Sequence, residues 1–424
     1  MSLMKSALCA TALTCIAGAA AAQDTTLTYM LWSTEQAEIE AGAIAAFEAA
    51  HPGVTVEVQA MPPADYWPRV SALAASGDLP DVMAMSSGFV QEWAEAGNLL
   101  DLTPLIGDTS LEGYFASAVA IGQVGGVQVA FPQNWVAPVL YFNRTAFDAA
   151  GLDYPSADWT WEDFRTAAEA LTVDTDGDGT PEQYGYWVYG RYAQTDPWVF
   201  RNGGRFVNED GTALEINEEA VNALAFLASI VDDGFAPRPL ELEGIRQQDV
   251  FGMGMAAMWV DGSWNIDNNR KLIGDSFEWG MAQVPMGPDA TPETAVAYAW
   301  ADMLAVTTDS DQTDLAWALV QHLTGPMLTA ADFPAGKVPA WTATAQTEEW
   351  LGRGQQPDNM ELILEIGTQP LYTGFTRNWS AWRGYAAAGS GGLNGELDEV
   401  FNGRKSLEDA LAAATAYGND ILSR

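Results

Sequence analysis

The first hundred residues alternate between apolar runs of strand length and longer stretches with one apolar face. Leu27–Trp32 fits a buried strand, and Thr34–Ala50 repeats its apolar residues at helical spacing. His51-Pro-Gly ends that helix, and valines then alternate with polar residues from Val54 to Val58. A strand, a helix and a strand in this order predict a parallel pair joined by a right-handed crossover.

The same alternation continues along the chain. A helix near Tyr66–Ala75 precedes a strand at Val82–Met85, and a strand at Val139–Phe142 precedes a short helix. A further helix begins at Thr160, whose hydroxyl lies three residues before Asp163, as in a capping box. The fold class predicted from these elements is α/β.

The N-terminus has the pattern of an export signal, residues 1–22. Lys5 supplies a positive charge, an apolar core follows, and Ala20–Ala22 precede a cut before Gln23. Both cysteines, Cys9 and Cys15, lie in this leader. We expect a periplasmic mature protein without disulfides; lipid attachment at Cys15 is the alternative. Without the leader, 402 of the 424 residues remain, which exceeds one core and predicts two domains.

The net charge of −39 is spread along the chain. It argues against nucleic acid and anionic membranes as partners, and we expect a soluble monomer. Residues 23–424 have no cysteine, and His51 and His322 do not have metal-ligand spacing. No nucleophile elbow and no phosphate loop occurs in the sequence. We therefore predict no catalytic residues and no cofactor.

Candidate ligand residues follow from the rule that open α/β sheets bind ligands beyond the carboxyl ends of their strands. At these ends an aromatic ring recurs beside a carboxylate, amide or hydroxyl group, which suits the C–H faces and hydroxyl edges of a sugar. The predicted ligand-binding residues are Trp32, Thr34, Glu35, Ser86, Ser87, Asn134, Trp135, Trp187, Tyr192, Asp261, Trp264, Trp300, Asp302, Trp341, Arg377 and Trp379.

These assignments have alternatives. Any of the tryptophans could be a packed core residue, and Arg377 could form a surface ion pair instead of binding sugar hydroxyls. The tryptophans inside helical patterns are assigned to the core or the surface, namely Trp67, Trp93, Trp159, Trp161, Trp317, Trp350 and Trp382.

One acidic loop is a candidate for structural calcium. Asp174, Asp176 and Asp178 occupy the first, third and fifth positions of a calcium-loop pattern, with Gly179 at the sixth and Thr180 next. Gly185 stands where the pattern requires a bidentate glutamate. The alternative is a polar connection that binds no metal.

Three segments carry a family resemblance: Leu140–Pro155 followed by Trp159–Phe164, Gly77–Val82, and Gly254–Trp264. Together they resemble the bacterial extracellular solute-binding proteins of the maltose-binding-protein-like group. The resemblance implies two α/β lobes with a ligand cleft and hinge closure, residues 23–135 plus 296–340 and residues 136–295 plus 341–424. It also implies a sugar-stacking role for Trp264, a polar contact from Asp261, and the permease of an ABC importer as partner.

Two rivals remain open. A secreted carbohydrate-active enzyme would share the aromatic subsites and would need two carboxylates flanking one bond. The same fold could instead bind a polyamine or another cation held by acidic and aromatic side chains.

Overall fold

The computed structural model describes residues 25–107, 111–372, 375–385 and 391–423. The predicted leader, residues 1–22, lies outside the described residues. The strands are β1 Thr25–Leu31, β2 Val54–Ala60, β3 Val82–Ser86, β4 Gln123–Val124, β5 Val127–Gln128, β6 Phe131–Val136, β7 Pro138–Asn143, β8 Tyr184–Trp187, β9 Ala256–Gly262, β10 Trp279–Ala282, β11 Ala297–Tyr298, β12 Trp300–Val306, β13 Val338–Pro339 and β14 Leu371–Tyr372.

The α-helices surround these strands. They are α1 Thr34–Ala50, α2 Pro63–Ser76, α3 Val90–Glu95, α4 Thr103–Ile106, α5 Ala116–Ile121, α6 Arg144–Ala150, α7 Trp161–Ala170, α8 Tyr192–Arg201, α9 Glu218–Asp232, α10 Ile266–Ile273, α11 Thr313–Thr324, α12 Thr342–Ala345, α13 Glu361–Gly367, α14 Trp379–Arg383, α15 Gly392–Phe401 and α16 Leu407–Leu422.

The local signals in the sequence account for several of these boundaries. Helix α1 has the predicted bounds, and the Ser33 hydroxyl accepts a hydrogen bond from the Gln36 N–H at its start. At the start of α7, Thr160 and Asp163 form the predicted reciprocal capping box. Helix α6 ends at Gly151, whose φ of 67° is left-handed and favours glycine.

The strands form two main sheets. The larger has six strands in the order β13-β6-β12-β3-β1-β2, and the second has four in the order β10-β7-β9-β8. Strands β1 and β2 are parallel, which confirms the predicted strand–helix–strand unit. Strand β12 returns late in the chain and pairs antiparallel with both β3 and β6. We call the part built on the six-stranded sheet lobe one and the part built on the four-stranded sheet lobe two.

The chain passes between the two sheets more than once. It leaves lobe one after β6, returns with β12, and ends in α14 to α16, which pack in the hydrophobic core of lobe two. Between these points the Thr342 N–H bonds to Gly113 of lobe one, whereas Asn359 bonds to Met281 of β10. The predicted residue boundaries of the lobes stay a prediction. Within the described ranges no helix has the length and apolar character needed to cross a bilayer.

Candidate ligand-binding cleft

A cavity of about 580 Å³ lies between the two lobes. We call it the interlobe cavity. Lobe one contributes the first turns of α2, and lobe two contributes the loop before α8, a loop before β9, and the segments around α14 and α15. The lining residues are Pro63, Ala64, Trp67, Pro68, Tyr189, Gly190, Arg191, Tyr192, Arg246, Gln247, Gln248, Gly384, Tyr385, Asn394, Gly395 and Asp398.

The lobe-one wall is apolar, because the side chains that α2 presents are two prolines, an alanine and a tryptophan. Pro63 begins the helix, a position where its missing N–H costs no intrahelical hydrogen bond. The Trp67 ring stacks on Phe89 with the centroids 3.6 Å apart and lies 5.7 Å from Trp32. Trp67 is 7% exposed and packs in the hydrophobic core, as assigned from its helical position, and it also lines the interlobe cavity.

The lobe-two wall is polar. The Gly190 N–H donates to the Asp398 carboxylate at 2.7 Å, which ties the loop before α8 to α15. A side chain at Gly190 would collide with the backbone carbonyl of Asn394 at 2.1 Å, so glycine is required there. Burial raises the pKa of Asp398, and the Gly190 hydrogen bond opposes that rise. The buried Oδ1 of Asn394 accepts no hydrogen bond from any described residue.

The Arg191–Asp261 ion pair lies behind this wall. Asp261 is fully buried, and its carboxylate is 3.3 Å from Arg191 Nη1. Arg191 also donates to the Tyr189 hydroxyl at 3.1 Å. Burial raises the pKa of Asp261 and Arg191 opposes the rise; burial alone would lower the pKa of Arg191, but the Asp261 charge and two tyrosines raise it. The geometry keeps a guanidinium at the edge of the interlobe cavity with its counter-charge inside the protein.

A chain of aromatic rings connects the lobes beside the cavity. Phe89 of lobe one lies 5.6 Å from Tyr385, which lies 5.5 Å from Tyr192. Tyr192 in turn lies 5.2 Å from Trp379 and 5.1 Å from Trp300. Trp300 then meets Trp264 at 5.2 Å. The structure therefore brings five predicted residues into one cluster: Trp32, Tyr192, Trp264, Trp300 and Trp379.

Asp302 and Asn134 lie next to each other in lobe one, near the start of β12 and inside β6 rather than beyond the carboxyl end of a strand. They face each other in the register of β6 and β12. Asp302 accepts a 2.7 Å hydrogen bond from Lys337, and the two residues line a cavity of about 20 Å³ together with Trp32. Sequence reasoning missed Lys337, because the short strand β13 that follows it gave no periodic signal.

Other predicted residues lie away from the interlobe cavity. Ser87 is fully buried and exchanges hydrogen bonds with the Ala301 backbone. Trp187 is fully buried, and its indole N–H donates to the Gln247 carbonyl. Trp135 packs on Phe115, and Trp341 packs on Tyr114. For the three tryptophans the structure supports the packing alternative, because neighbouring rings or backbone groups contact them. The Ser87 hydroxyl is engaged in backbone hydrogen bonds.

The remaining predicted residues are at least partly exposed. Glu35 forms an exposed ion pair with Lys271 at 3.1 Å. Arg377 lies 3.5 Å from Glu95, with about half of its side chain exposed, which is the surface ion pair given as its alternative. Thr34 is exposed and Ser86 half-buried, and neither lines the interlobe cavity. Ligand contact by any predicted residue stays a prediction.

The acidic loop differs from the expected calcium set. Side-chain oxygens of Asp174, Asp176 and Glu182 lie within 4.8 Å of one another. Asp174 accepts hydrogen bonds from the N–H groups of Gly177 and Gly179, and Glu182 accepts from Thr175. Asp178 and Thr180 are not in this group of three. Calcium binding here stays a prediction. The loop's own hydrogen bonds hold its carboxylates without a metal ion.

The sequence missed most of the polar lobe-two wall. Arg246 comes from a loop before β9, and Asn394 and Asp398 come from helix α15; none of them carries a strand-end signal. One usable signal was present: Tyr189-Gly-Arg-Tyr192 directly follows the apolar strand β8. Tyr192 was predicted from that position, and the arginine beside it was not.

Comparison with known proteins agrees with the two-lobed fold. The family model described as bacterial extracellular solute-binding protein matches residues 32–330, well over half of the chain. The chain belongs to this family of solute-binding proteins. A binding protein of Brucella abortus is 23% identical over 288 residues, 66% of each chain, so the match spans just under two thirds of that relative.

Two solved structures resemble nearly the whole of this solute-binding protein. The ABC substrate-binding protein Lmo0181 from Listeria monocytogenes, in complex with cycloalternan, superimposes with a TM-score of 0.80 and 25% identity, covering 95% of this chain and 100% of that one. A solute-binding protein from Thermotoga lettingae bound with α-D-tagatose gives a TM-score of 0.77 at 18% identity, covering 94% and 100%. At these identities the likeness supports the fold, with the cleft between two α/β lobes.

Proposed function

We propose that this protein is the periplasmic binding component of an ABC importer and that it binds a neutral carbohydrate in the interlobe cavity. One observation carries the proposal: the cavity is lined by aromatic rings from both lobes together with amide and guanidinium groups from lobe two. Sugar rings offer apolar C–H faces to aromatic side chains and hydroxyl edges to such polar groups. The relatives that were crystallised with cycloalternan and tagatose support the same ligand class.

The charges around the cavity favour a neutral solute. Arg191 is matched by buried Asp261, and Arg246 lies 2.8 Å from Asp249. Asp398 supplies a hydrogen-bond acceptor to Gly190. Because both guanidinium groups at the cavity already face a carboxylate, an anionic solute would meet no unpaired cation there. The single carboxylate of Asp398 would not balance the several charges of a polyamine, and desolvating an unpaired charge is unfavourable.

Binding would work by closure of the cleft. Helix α2 approaches from lobe one, and the Tyr189–Tyr192 loop approaches from lobe two. A solute between them contacts both lobes only when they are close together, so it favours the closed arrangement. The permease subunits of the importer would then recognise the closed protein. Residues 1–22 would direct export and be removed, and the mature protein would act as a monomer.

We propose a binding role without catalysis and without a cofactor. Glycoside hydrolysis needs two carboxyl groups on either side of the scissile bond. Asp398 is the one acidic side chain among the described residues that line the interlobe cavity. A secreted carbohydrate-active enzyme remains the alternative function that the following experiment tests.

The experiment is a thermal-shift screen of residues 23–424 against cycloalternan, maltotriose, α-D-tagatose, D-glucuronate and spermidine, followed by chromatography of each hit. A ligand at 100 times its Kd should stabilise the protein by about 2.7 kcal/mol. We expect a neutral sugar to raise the melting temperature and to be recovered unchanged. A response to spermidine alone, or a sugar converted to products, would refute the proposal.

A further inference from the structure

We infer that Arg191 is the residue through which lobe two selects its sugar, and that Trp264 acts by holding Arg191 in place. This inference rests on the proposed carbohydrate function and concerns the same cavity. It departs from the role that the family resemblance gives to Trp264, which is direct stacking on the sugar.

The Trp264 ring is packed against other groups of the protein. Its six-membered ring lies against Gly262, where an added Cβ would be only 2.1 Å from the ring carbons. Trp300 meets it edge to face at 5.2 Å. The Arg191 guanidinium lies over the ring, 5.5 Å from its centroid. Backbone, a second indole and a cation therefore pack against the half-buried ring, and Trp264 does not line the interlobe cavity.

Arg191 does line that cavity, and its position is fixed. The side chain is 26% exposed, and it lies over the rings of both Trp264 and Tyr192. A guanidinium over an aromatic face is attracted to it. The hydrogen bonds to Tyr189 and Asp261 both leave from Nη1, and Arg191 also hydrogen-bonds with Tyr192. A guanidinium has five N–H donors, so Nε and Nη2 add donors for groups beside them.

The expected ligand follows from this geometry. The planar guanidinium can donate hydrogen bonds to two adjacent hydroxyl oxygens at once. A lysine ammonium at the same position would not match this geometry. The buried Asp261 carboxylate already balances the Arg191 charge. We therefore assign a neutral sugar with adjacent hydroxyl groups, and exclude a sugar acid, as the solute that Arg191 selects.

The test is a double-mutant cycle on the Kd for maltotriose, cycloalternan and α-D-tagatose, with D-glucuronate as the acidic probe. Because R191M alone leaves Asp261 buried without its partner, the arginine is removed as R191M/D261N. W264L removes the aromatic ring and W264F keeps one. R165M, at an exposed lobe-two ion pair with Asp233, is the control for loss of an arginine.

We expect R191M/D261N to weaken binding of the neutral sugar roughly 10- to 100-fold. W264L should weaken it as a single change but add less than about threefold in the R191M/D261N background, because both changes remove the same contact. W264F should stay near wild type, since it keeps a ring under the guanidinium. R165M should bind as wild type does.

Two results would overturn the inference. One is a W264L loss of equal size in both backgrounds, which would mean direct stacking on the sugar. The other is D-glucuronate binding as tightly as the neutral sugars. If no neutral sugar binds the wild-type protein, the carbohydrate proposal fails first, and this inference fails with it before any variant is compared.

Discussion

The two walls of the interlobe cavity differ in chemistry. Lobe two presents arginine, amide and carboxylate groups held by hydrogen bonds to its own loops, whereas helix α2 of lobe one presents prolines, an alanine and the Trp67 ring. A polar wall can satisfy the hydroxyl groups of a sugar while the cleft is open. An apolar wall contributes only when it covers the sugar and excludes water. We infer that lobe two receives the solute and that α2 closes over it.

The polar wall depends on a buried charge pair in lobe two. Arg383 of α14 is fully buried and pairs with Asp196 of α8, and these helices begin with the site aromatics Trp379 and Tyr192. Burial raises the pKa of Asp196 to about 6, against the opposing effect of Arg383.

The largest effect is expected from R383M. The change leaves the Asp196 carboxyl buried without its partner, so the free energy of unfolding should fall by about 3–5 kcal/mol. Urea denaturation measures this loss. R165M, at an exposed ion pair, should change the same quantity by less than about 1 kcal/mol. Equal effects of the two substitutions would show that lobe two does not depend on its buried pair.

The next effect concerns the apolar wall. W67A removes the largest ring that lobe one places at the cavity, so Kd for the neutral sugar identified by the screen should rise roughly 30-fold, equivalent to about 2 kcal/mol. Isothermal titration calorimetry measures this change. W159A, which removes a half-buried ring beside Phe147 in lobe two, controls for the loss of a tryptophan away from the cavity and should leave Kd unchanged. An unchanged Kd in W67A would show that the Trp67 ring of α2 does not contact the sugar.

A pH effect is expected where the lobes meet. Burial raises the pKa of Glu92 in lobe one to about 7, and a hydrogen bond with Ser380 of lobe two opposes the rise. The folded protein therefore holds this proton more tightly than the unfolded chain does. Stability from this group is complete below pH 4.5, the ordinary pKa of the carboxyl, and is lost as the pH rises towards 7.

E92Q should abolish that loss. At pH 8 the variant should exceed wild type in free energy of unfolding by roughly 1–2 kcal/mol, a value reduced from the full shift because Glu92 is only half-buried. At pH 4 the two should agree. Denaturation at both pH values measures the difference, and E162Q, at an exposed position of α7, controls for the loss of one acidic group. A pH-independent difference would contradict the assignment.

The smallest effect is expected at Arg377. Its ion pair with Glu95 is about half exposed, so R377M should cost less than about 1 kcal/mol of stability and change the sugar Kd less than twofold. The same calorimetric titration measures the Kd, and urea denaturation measures the stability. A tenfold loss of affinity would instead support the ligand-binding role predicted for Arg377 from the sequence.

The sequence predicted the fold better than the site, for physical reasons. Periodicity and caps act locally, so α1, β2 and the start of α7 follow from neighbouring residues alone. The pairing of β12 with β3 and β6 joins segments more than 150 residues apart, and no local pattern encodes it.

Some residues of the site follow from local sequence patterns, and others depend on contacts between distant parts of the chain. Tyr192 could be found because it lies shortly after strand β8, and Asp302 because it lies at the edge of the other sheet where β3 ends. Trp67 and Asn394 could not be found, because α2 and α15 come together from distant parts of the chain. Arg191 was missed although it stands beside Tyr192. Trp187 shows the opposite error: it ends a strand, but its side chain points into the packed interior.

Hydrogen–deuterium exchange with and without the sugar identified by the thermal-shift screen tests whether both lobes close on the solute. We expect the sugar to slow exchange in α2 around Trp67 and in the lobe-two segments around Tyr189–Tyr192 and Asn394–Asp398. Protection confined to a surface outside the interlobe cavity, such as the groove between α9 and the start of α16, or protection of one wall without the other, would contradict closure around a solute in that cavity.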